Sequence, residues 1–446
     1  MNLRLCFSIK NNVCRKAFLF LFLFVVSFIS WNYCGILFFV YGIYLFKHIN
    51  EYEKFFNQYL IDSIILIGSW EVGSLFWMFH IDNGAYGILI HFLFTLAVII
   101  SFYFLRFKNE IINSIAFIII WVFYELLQNL IPISFPWLII GNVFSNQIWM
   151  IQWYEYTSVI GGSIWFLICS CFIYFILKKR MKTHLLLVIF ILPVLFSINT
   201  YKNKKYYKKG KNKILIYNPE YNINKKPENF ELSFELSKKI QELQDIDILI
   251  TPELTFEMLN IKEFRNSLTS QFLLKLLDKD SIRDIYIGSS LYDSDNKNRL
   301  INGLIYLTKN DLLFKFKKKL VPFNEYLPEP FTFLFNKSFY NYRYNDDELD
   351  IANKSEITPF ICYEIFYPFF VSRRTSSYSR VLLISSEQFL NNSTLGRRQY
   401  NNIIKLRCIE NRVKMIKASG FGDSLIIDHY GEIIKKSRDE FNIFYF

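Results

Sequence analysis

Apolar residues are concentrated in the first 200 residues of the chain, where short polar stretches separate seven apolar runs. Several runs reach the roughly 20 residues that a helix needs to cross a bilayer. The pattern predicts an α-helical transmembrane domain over residues 1–200, with about seven helices. The seven runs cover residues 17–32, 33–46, 61–80, 86–105, 111–131, 154–177 and 184–198.

The first run follows a basic segment that contains Arg4, Lys10, Arg15 and Lys16, as a signal peptide would. No small-residue cleavage site comes after it, and six further apolar runs do. We therefore interpret the first run as a helix that is retained.

The distribution of Lys and Arg predicts the orientation of these helices, because basic loops stay in the cytoplasm. The N-terminus and the loops after the second, fourth and sixth runs are basic, and the loops after the other runs nearly lack Lys and Arg. We therefore expect a cytoplasmic N-terminus. Seven spans then place everything after residue 200 on the outer side of the membrane.

Two features of the apolar half are candidates for more than anchoring. Glu71 and Glu125 fall inside apolar runs, where a carboxylate is either functional or hydrogen-bonded to a neighbouring helix. The aromatic loop Ile133-Ser134-Phe135-Pro136-Trp137 has the composition of a segment at headgroup depth. It is expected to anchor the chain there or to line a lipid entrance.

After residue 200 the pattern changes to short apolar runs that alternate with helical ones. Residues 201–212 form a basic, tyrosine-rich linker, and residues 213–446 are expected to form one α/β domain with a layered sheet. The predicted strands cover residues 214–217, 247–251, 285–289, 301–307, 312–316, 358–361, 381–385, 413–417 and 424–427. The predicted helices cover residues 229–243, 262–277 and 397–412.

Composition supports this division and excludes several classes of protein. The 446 residues are 52% hydrophobic and 20% charged, which is unlike a single soluble domain. The net charge of +12 is spread over loops and the linker, so it suits anionic lipid better than nucleic acid. Seven cysteines without a CxxC pair indicate neither a disulfide framework nor a zinc site, and no cofactor is predicted.

Cys362 is a candidate nucleophile because it stands at the end of the apolar run 357–361. A buried structural cysteine is the alternative. His429 is the one histidine after residue 200 and lies in a predicted hairpin, so a cysteine–histidine enzyme is disfavoured. Glu253 and Lys317 each follow a predicted strand, although Glu253 can also cap a helix and Lys317 belongs to a lysine-rich run.

Three segments resemble the signature blocks of the apolipoprotein N-acyltransferases, the membrane branch of the nitrilase (carbon–nitrogen hydrolase) superfamily. The resemblance implies a nitrilase-like α-β-β-α sandwich behind the transmembrane helices, and it extends through residues 407–412 and 428–431 and back to residues 135–137. The three blocks are Thr251-Pro252-Glu253, the run from Lys317 to Pro328, and Cys362-Tyr363-Glu364.

The resemblance also implies a role for each matching residue. Glu253 is the expected general base, Lys317 stabilises the oxyanion, and Cys362 is the nucleophile. Spacing to the Leu-Val-Pro-Phe sequence selects Lys317 from its neighbouring lysines. The expected supporting residues are Glu325, Tyr363 and Glu364, and either glutamate can hold the lysine.

The implied reaction moves an acyl chain from a phospholipid to Cys362 as a thioester. The acyl chain then passes to the α-amino group of the diacylglyceryl-cysteine at the N-terminus of an apolipoprotein. The expected location is a bacterial inner membrane with the α/β domain in the periplasm. We expect a monomer with membrane lipid, phospholipid and apolipoproteins as partners, and no nucleic acid.

The sequence departs from the family pattern at several places. Asn324 stands where glycine is usual, Ser386-Glu387-Gln388-Phe389 replaces an Asn-Asp-x-Trp block, and no Trp follows Trp165. The apolar span with which the family returns to the membrane does not follow the last strand pattern. Two other functions therefore stay open: a non-catalytic lipid- or lipoprotein-binding homologue, and a membrane-tethered amidase of the nitrilase type.

Overall fold

The computed structural model describes the chain except residues 1, 52, 82–83, 132, 205–209, 219–226, 244, 280–281, 294–299, 329–341, 343–354, 378 and 391–392, and gives the backbone alone for 2–12, 185 and 278–279. The chain divides into two compact units. The helical unit comprises Met1–Lys204 and Ser393–Leu406, and the α/β unit comprises Lys205–Asn392 and Arg407–Phe446.

Each predicted apolar run coincides with a helix of the helical unit. Among the described residues, five segments are long and apolar enough to cross a membrane: Val13–Asn32, Phe56–His80, Gly84–Phe104, Glu110–Leu127 and Tyr154–Leu177. Two shorter apolar helices lie at Gly35–Ile49 and Leu186–Lys202. The helices are α1 (Asn2–Asn32), α2 (Phe38–Ile49), α3 (Phe56–Leu75), α4 (Gly84–Phe104), α5 (Glu110–Leu127), α6 (Tyr154–Leu177) and α7 (Thr183–Lys202).

Both intramembrane glutamates are buried and have partners within the helical unit. Glu71 Oε1 lies 2.5 Å from His91 Nδ1 on α4. Glu125 Oε1 accepts hydrogen bonds from Trp121 Nε1 at 3.2 Å and from the Ile140 backbone N–H at 2.9 Å. Of the two alternatives for these carboxylates, these contacts fit a hydrogen-bonded group that faces neighbouring elements.

The interpretation of the Phe135-Pro136-Trp137 loop as an interfacial anchor is wrong for its tryptophan. Trp137 is buried in a run of 3-10 helix, and its Nε1 donates to Gln399 Oε1 at 3.0 Å. Its ring lies parallel to that of Phe135, with centroids 6.0 Å apart. Because the indole N–H has a partner inside the unit, the ring has no need of the polar headgroup region.

The described residues of the α/β unit form two sheets. The first has the order β12-β1-β2-β4-β5-β6 with β3 paired to β4, and the second has the order β11-β10-β9-β8-β7. The strands are β1 (Lys213–Tyr217), β2 (Ile248–Ile250), β3 (Phe256–Asn260), β4 (Asp284–Tyr292), β5 (Ile301–Leu307), β6 (Leu312–Phe316), β7 (Ile357–Ile361), β8 (Arg380–Ser386), β9 (Lys414–Gly420), β10 (Ser424–Ile427), β11 (Ile433–Ser437) and β12 (Phe441–Tyr445). The helices are α8 (Asn229–Leu243), α9 (Leu268–Lys279), α10 (Pro368–Ser372) and α11 (Thr394–Asn411), whose first part belongs to the helical unit.

The alternation of side-chain direction along the strands produces the layers of the α/β unit. Leu215 and Tyr217 of β1 enter a core that contains residues of α8 and α9, whereas Ile214 and Ile216 enter a core shared with the second sheet. Successive side chains of a strand point to opposite faces, so an apolar strand buried on both sides joins two cores. The prediction of an α-β-β-α sandwich behind a helical region is confirmed.

Candidate active site

The three predicted catalytic side chains meet at strand ends in the α/β unit. Glu253 follows β2 and Lys317 follows β6 in the first sheet, and Cys362 follows β7 in the second. Lys317 Nζ donates to Glu253 Oε1 at 2.8 Å, and the Cys362 thiol is hydrogen-bonded to Glu253. All three side chains are buried, so both sheets contribute to one enclosed cluster.

The environment of Cys362 keeps its sulfur protonated. Burial raises the pKa of the Cys362 thiol well above its ordinary value, and the negative charges of Glu253 and Glu325 raise it further, against the opposing effect of Lys317. A thiol of this kind needs a base before it can act as a nucleophile. Glu253, which accepts its hydrogen bond, is placed to be that base.

Lys317 lies between two carboxylates and stays charged. Its Nζ donates to Glu325 Oε1 at 2.7 Å as well as to Glu253. Burial alone would lower the pKa of Lys317, but the charges of Glu253, Glu325 and Cys362 hold it well above its ordinary value. The pKa of Glu325 is raised by burial and by Glu253, while Lys317 opposes the rise.

Glu364 holds a different lysine from the one that Glu325 holds. Its Oε2 accepts from Lys315 Nζ at 2.6 Å and from the Ile361 backbone N–H at 2.8 Å. Its Oε1 accepts from the Lys318 backbone N–H at 2.8 Å. Glu364 therefore ties the turn that carries the cysteine to the strand that carries the lysine. Of the two glutamates, Glu325 is the one that contacts Lys317.

Tyr363 packs beside the nucleophile without joining the lysine–glutamate contacts described above. Its ring lies against Phe366 and Tyr367, with centroids 5.3 and 5.6 Å away. Burial raises the pKa of Tyr363 well above its ordinary value, and a hydrogen bond with Tyr367 adds to the rise. Tyr363 thus packs against two aromatic side chains directly after Cys362 in the chain.

Two further groups hold Glu253 and were not predicted from the sequence. Asn302 Nδ2 donates to Glu253 Oε1 and to Glu325 Oε1, both at 2.8 Å. The Ser386 backbone N–H donates to Glu253 Oε2 at 3.1 Å. Both oxygens of Glu253 are therefore held, one by side chains of the first sheet and one by the backbone of the second.

The backbone around the site is strained at three places. Leu254, Phe323 and Cys362 have φ angles of 55°, 62° and 42°, in the region that side chains other than glycine rarely adopt. Each such residue costs about 1–3 kcal/mol and tends to mark a functional turn. At Gly288, by contrast, a Cβ would overlap the Pro252 carbonyl oxygen, so glycine lets the turn that carries Glu253 cross β4.

Family models match most of the chain. One described as carbon-nitrogen hydrolase matches residues 216–443, and one described as apolipoprotein N-acyltransferase N-terminal domain matches residues 22–172. The chain belongs to the carbon-nitrogen hydrolase family. The second match and the relatives place it in the apolipoprotein N-acyltransferase branch, which consists of acyltransferases.

The relatives of this carbon-nitrogen hydrolase support that assignment over both units. The apolipoprotein N-acyltransferase of Rickettsia prowazekii (strain Madrid E) is 26% identical, over 82% of this chain and 81% of its own. That of Pasteurella multocida (strain Pm70) is 24% identical, over 73% of this chain and 67% of its own. Among solved structures, a carbon-nitrogen hydrolase from Helicobacter pylori G27 is 14% identical with a TM-score of 0.38, and covers 52% of this chain and 87% of that one.

The one group of described residues with metal-ligand geometry lies outside this site, in the helical unit. Ligand atoms of His48, Glu51 and Asp62 lie within 4.8 Å of one another. Lys54 Nζ contacts both carboxylates, and it lies 2.6 Å from Asp62 Oδ2. The ammonium group thus supplies the positive charge that a metal ion would bring.

Proposed function

We propose that this protein transfers an acyl chain from a phospholipid to the N-terminal amine of a diacylglyceryl apolipoprotein, through a thioester on Cys362. The convergence of Glu253, Lys317 and Cys362 in one buried cluster carries this proposal. The activity named for the relatives supports the choice of substrate class.

In the first half-reaction Glu253 takes the proton of the Cys362 thiol, and the sulfur attacks the ester carbonyl carbon of the phospholipid. The carbonyl oxygen becomes an oxyanion that the Lys317 ammonium stabilises in a site closed to water. The intermediate collapses by breaking the bond to the glycerol oxygen, which takes the proton from Glu253. A lysophospholipid leaves, and the acyl chain stays on Cys362.

In the second half-reaction the free α-amino group of the apolipoprotein attacks the thioester carbonyl. Lys317 again stabilises the oxyanion, and Glu253 accepts the proton that the nitrogen loses. The carbon–sulfur bond then breaks, an amide forms, and the proton returns from Glu253 to the Cys362 sulfur. Protons and leaving groups therefore balance over the cycle with no cofactor.

The supporting residues have distinct tasks in this proposal. Glu325 accepts from both Lys317 and Asn302, and Asn302 also donates to Glu253, so that together they hold Lys317 and Glu253 in place. Glu364 fixes the turn of Cys362 against the strand of Lys317. The apolar helices suit two lipid-anchored substrates, and we propose that the protein lies in a bacterial inner membrane with its α/β unit in the periplasm.

The test is intact-protein and peptide mass spectrometry after incubation of the purified protein with phospholipid. We expect a fatty-acyl mass on Cys362, its loss in Cys362→Ala, and its retention in the matched control Cys408→Ala, whose cysteine is also buried in the α/β unit. A diacylglyceryl peptide with a free N-terminus should then remove the acyl group and gain an amide.

The same experiment separates the two alternative functions. A protein that never carries an acyl group, although it is folded and binds lipid, supports the non-catalytic homologue. Release of ammonia from small amides, with no adduct from phospholipid, supports the amidase. Either outcome contradicts the proposed acyl transfer.

A further inference from the structure

A further buried ion pair lies beside the proposed active site and has no part in the reaction above. Glu387 and Lys417 are fully buried, and Lys417 Nζ donates to Glu387 Oε1. Ser419 Oγ donates to the same oxygen at 2.9 Å. Neither Glu387 nor Lys417 was predicted as a site residue, although Glu387 stands in the segment that departs from the family pattern.

The pair is joined to Glu253 through the chain. Glu387 directly follows Ser386, the last residue of β8, whose backbone N–H donates to Glu253 Oε2 at 3.1 Å. Lys417 and Ser419 belong to β9, which pairs with β8 in parallel, so that Ser386 is opposite Gly420. The ion pair therefore fixes the end of β8 to the neighbouring strand one residue beyond the N–H group that holds Glu253.

The surroundings of Glu387 leave its carboxylate little freedom. A Cβ at position 422 would overlap the carboxylate, so glycine at that position lets the backbone pack directly on it. The Gly422 carbonyl oxygen is in turn held by Asn218 Nδ2 at 3.1 Å. The buried charge of Glu387 is therefore neutralised by an ion pair, hydrogen-bonded and enclosed by backbone.

A buried ion pair seldom adds stability beyond that of an apolar pair of the same shape, whereas breaking one is costly. Its presence here is better explained by the geometry that it imposes. We propose that the Glu387–Lys417 pair is a positioning element for Glu253, which acts by holding the Ser386 N–H group against the carboxylate of the base. This inference rests on the proposed function of Glu253.

The test measures single-turnover formation of the Cys362 thioester in the full-length protein at saturating phospholipid. Glu387→Gln keeps the size of the side chain and removes its charge, and Gly422→Ala displaces the carboxylate without changing any charge. We expect each to slow thioester formation about 10- to 100-fold, because a small displacement of a catalytic group has effects of this order. The amplitude per folded protein and the half-saturating phospholipid concentration should stay unchanged.

Two further variants separate positioning from a merely structural role. Glu387→Asp combined with Lys417→Arg shortens one partner and lengthens the other, and should recover the rate to within about 3-fold of the wild type. Tyr306→Phe is the stability control: it removes a buried hydroxyl that donates to Asp284 Oδ1 at 2.8 Å, and should lower the unfolding temperature without slowing the thioester step.

A reduced amplitude with a wild-type rate in Glu387→Gln would overturn the inference, because loss of fold removes active molecules without slowing the remainder. A folded double variant that stays as slow as Glu387→Gln would also overturn it. If the wild type itself forms no thioester, the proposed function fails and this inference fails with it. If the wild type forms the thioester and the variants form it at the same rate, this inference is contradicted and the proposed function is not.

Discussion

Lys317 is the residue on which the charges of the site depend, because its ammonium group lies between Glu253 and Glu325. Lys317→Met keeps the length of the side chain and leaves the two carboxylates facing each other without a cation. We expect thioester formation to fall about 100- to 1,000-fold, as it does when an oxyanion donor is lost. The free energy of unfolding should also fall by about 3–5 kcal/mol, because buried charges lose their partner.

Lys318→Met is the matched control for this prediction. Lys318 belongs to the same lysine run, but its side chain is half-buried, and its contact with Glu364 is made by the backbone N–H. We expect thioester formation within about 3-fold of the wild type, since the backbone contact with Glu364 survives the substitution. Equal losses in the two variants, measured by mass spectrometry and thermal unfolding, would mean that the lysine run acts through its overall charge.

A pH profile of Glu253→Gln tests the base. Burial, the largest cause of the raised pKa of Cys362, persists in this variant, while the charge of Glu253 is lost. The thiolate fraction below the pKa of a thiol rises about 10-fold for each pH unit. The residual rate of thioester formation should therefore rise about 10-fold per pH unit from pH 7 to pH 9 without a plateau. A wild-type rate at pH 7 would contradict Glu253 as the base, and a plateau below pH 9 would contradict the raised pKa of the Cys362 thiol.

Asn302 tests the part of the site that the sequence did not indicate. Asn302→Asp replaces a donor with a third carboxylate beside Glu253 and Glu325. We expect thioester formation to fall at least about 10-fold, because both carboxylates lose a hydrogen bond and gain a like charge. Asn310→Asp is the control, since Asn310 is exposed and its side chain has no contact with the cluster described above. A wild-type rate in Asn302→Asp would exclude a positioning role for Asn302.

The difference between predicted and unpredicted site residues is physical. Glu253, Lys317 and Cys362 lie in motifs whose neighbours are recognisable, so the sequence selects them. Asn302 sits inside an apolar strand with no local pattern, and it reaches Lys317 because β5 pairs with β6 and the Lys317 N–H donates to the Asn302 carbonyl oxygen at 2.9 Å. Ser386 acts through its backbone N–H, which no residue type encodes.

At the scale of elements, buried apolar runs account for the nine strands that were predicted. The nine predicted strands are buried runs, and each appears in one of the two sheets. The strands β3, β11 and β12 were missed. The residues of β11 are almost all exposed and include Lys435 and Lys436, so they show no apolar alternation. The strand β11 forms because it pairs with β10, and β12 forms because it pairs with β1. Such pairing between distant parts of the chain is a tertiary effect.

The first part of α11 shows how polar residues can join elements in an apolar unit. Gln399 Oε1 accepts from Trp77 Nε1 at 3.3 Å and from Trp137 Nε1 at 3.0 Å. Its Nε2 donates to the Ser74 carbonyl oxygen at 2.9 Å and to Asn32 Oδ1 at 3.1 Å. Every hydrogen-bonding group of this side-chain amide is therefore used within the helical unit.

We expect Gln399→Leu to lower the stability of the helical unit, because it leaves two indole N–H groups and two oxygens without this partner. Each buried group left unsatisfied costs about 1–3 kcal/mol. Thermal unfolding and limited proteolysis in detergent should show the loss. Gln388→Leu, the same change at an exposed position, is the control. Equal stability of the two variants would contradict an anchoring role for Gln399.

At the scale of the whole molecule, the number of spans decides on which side of the membrane the α/β unit lies. In the part of the chain that the structure describes, five helices qualify by length and hydropathy, and the apolar parts of α2 and α7 are shorter. If neither of these two crossed, the basic loop with Arg106 and Lys108 would lie outside together with the α/β unit. If both cross, the basic N-terminus and every basic loop between the helices lie in the cytoplasm, as the positive-inside rule predicts.

We therefore predict seven crossings, with the 106–108 loop in the cytoplasm and the α/β unit in the periplasm. The measurement is trypsin digestion of right-side-out and inverted membrane vesicles, followed by detection of a C-terminal tag and mass spectrometry of the peptides. The α/β unit should be cut in right-side-out vesicles, and the chain at Arg106 and Lys108 in inverted ones. Cutting of both regions from the same side would mean that α2 and α7 do not both cross. Loss of the tag in inverted vesicles alone would place the proposed thioester chemistry on the cytoplasmic side and contradict the orientation.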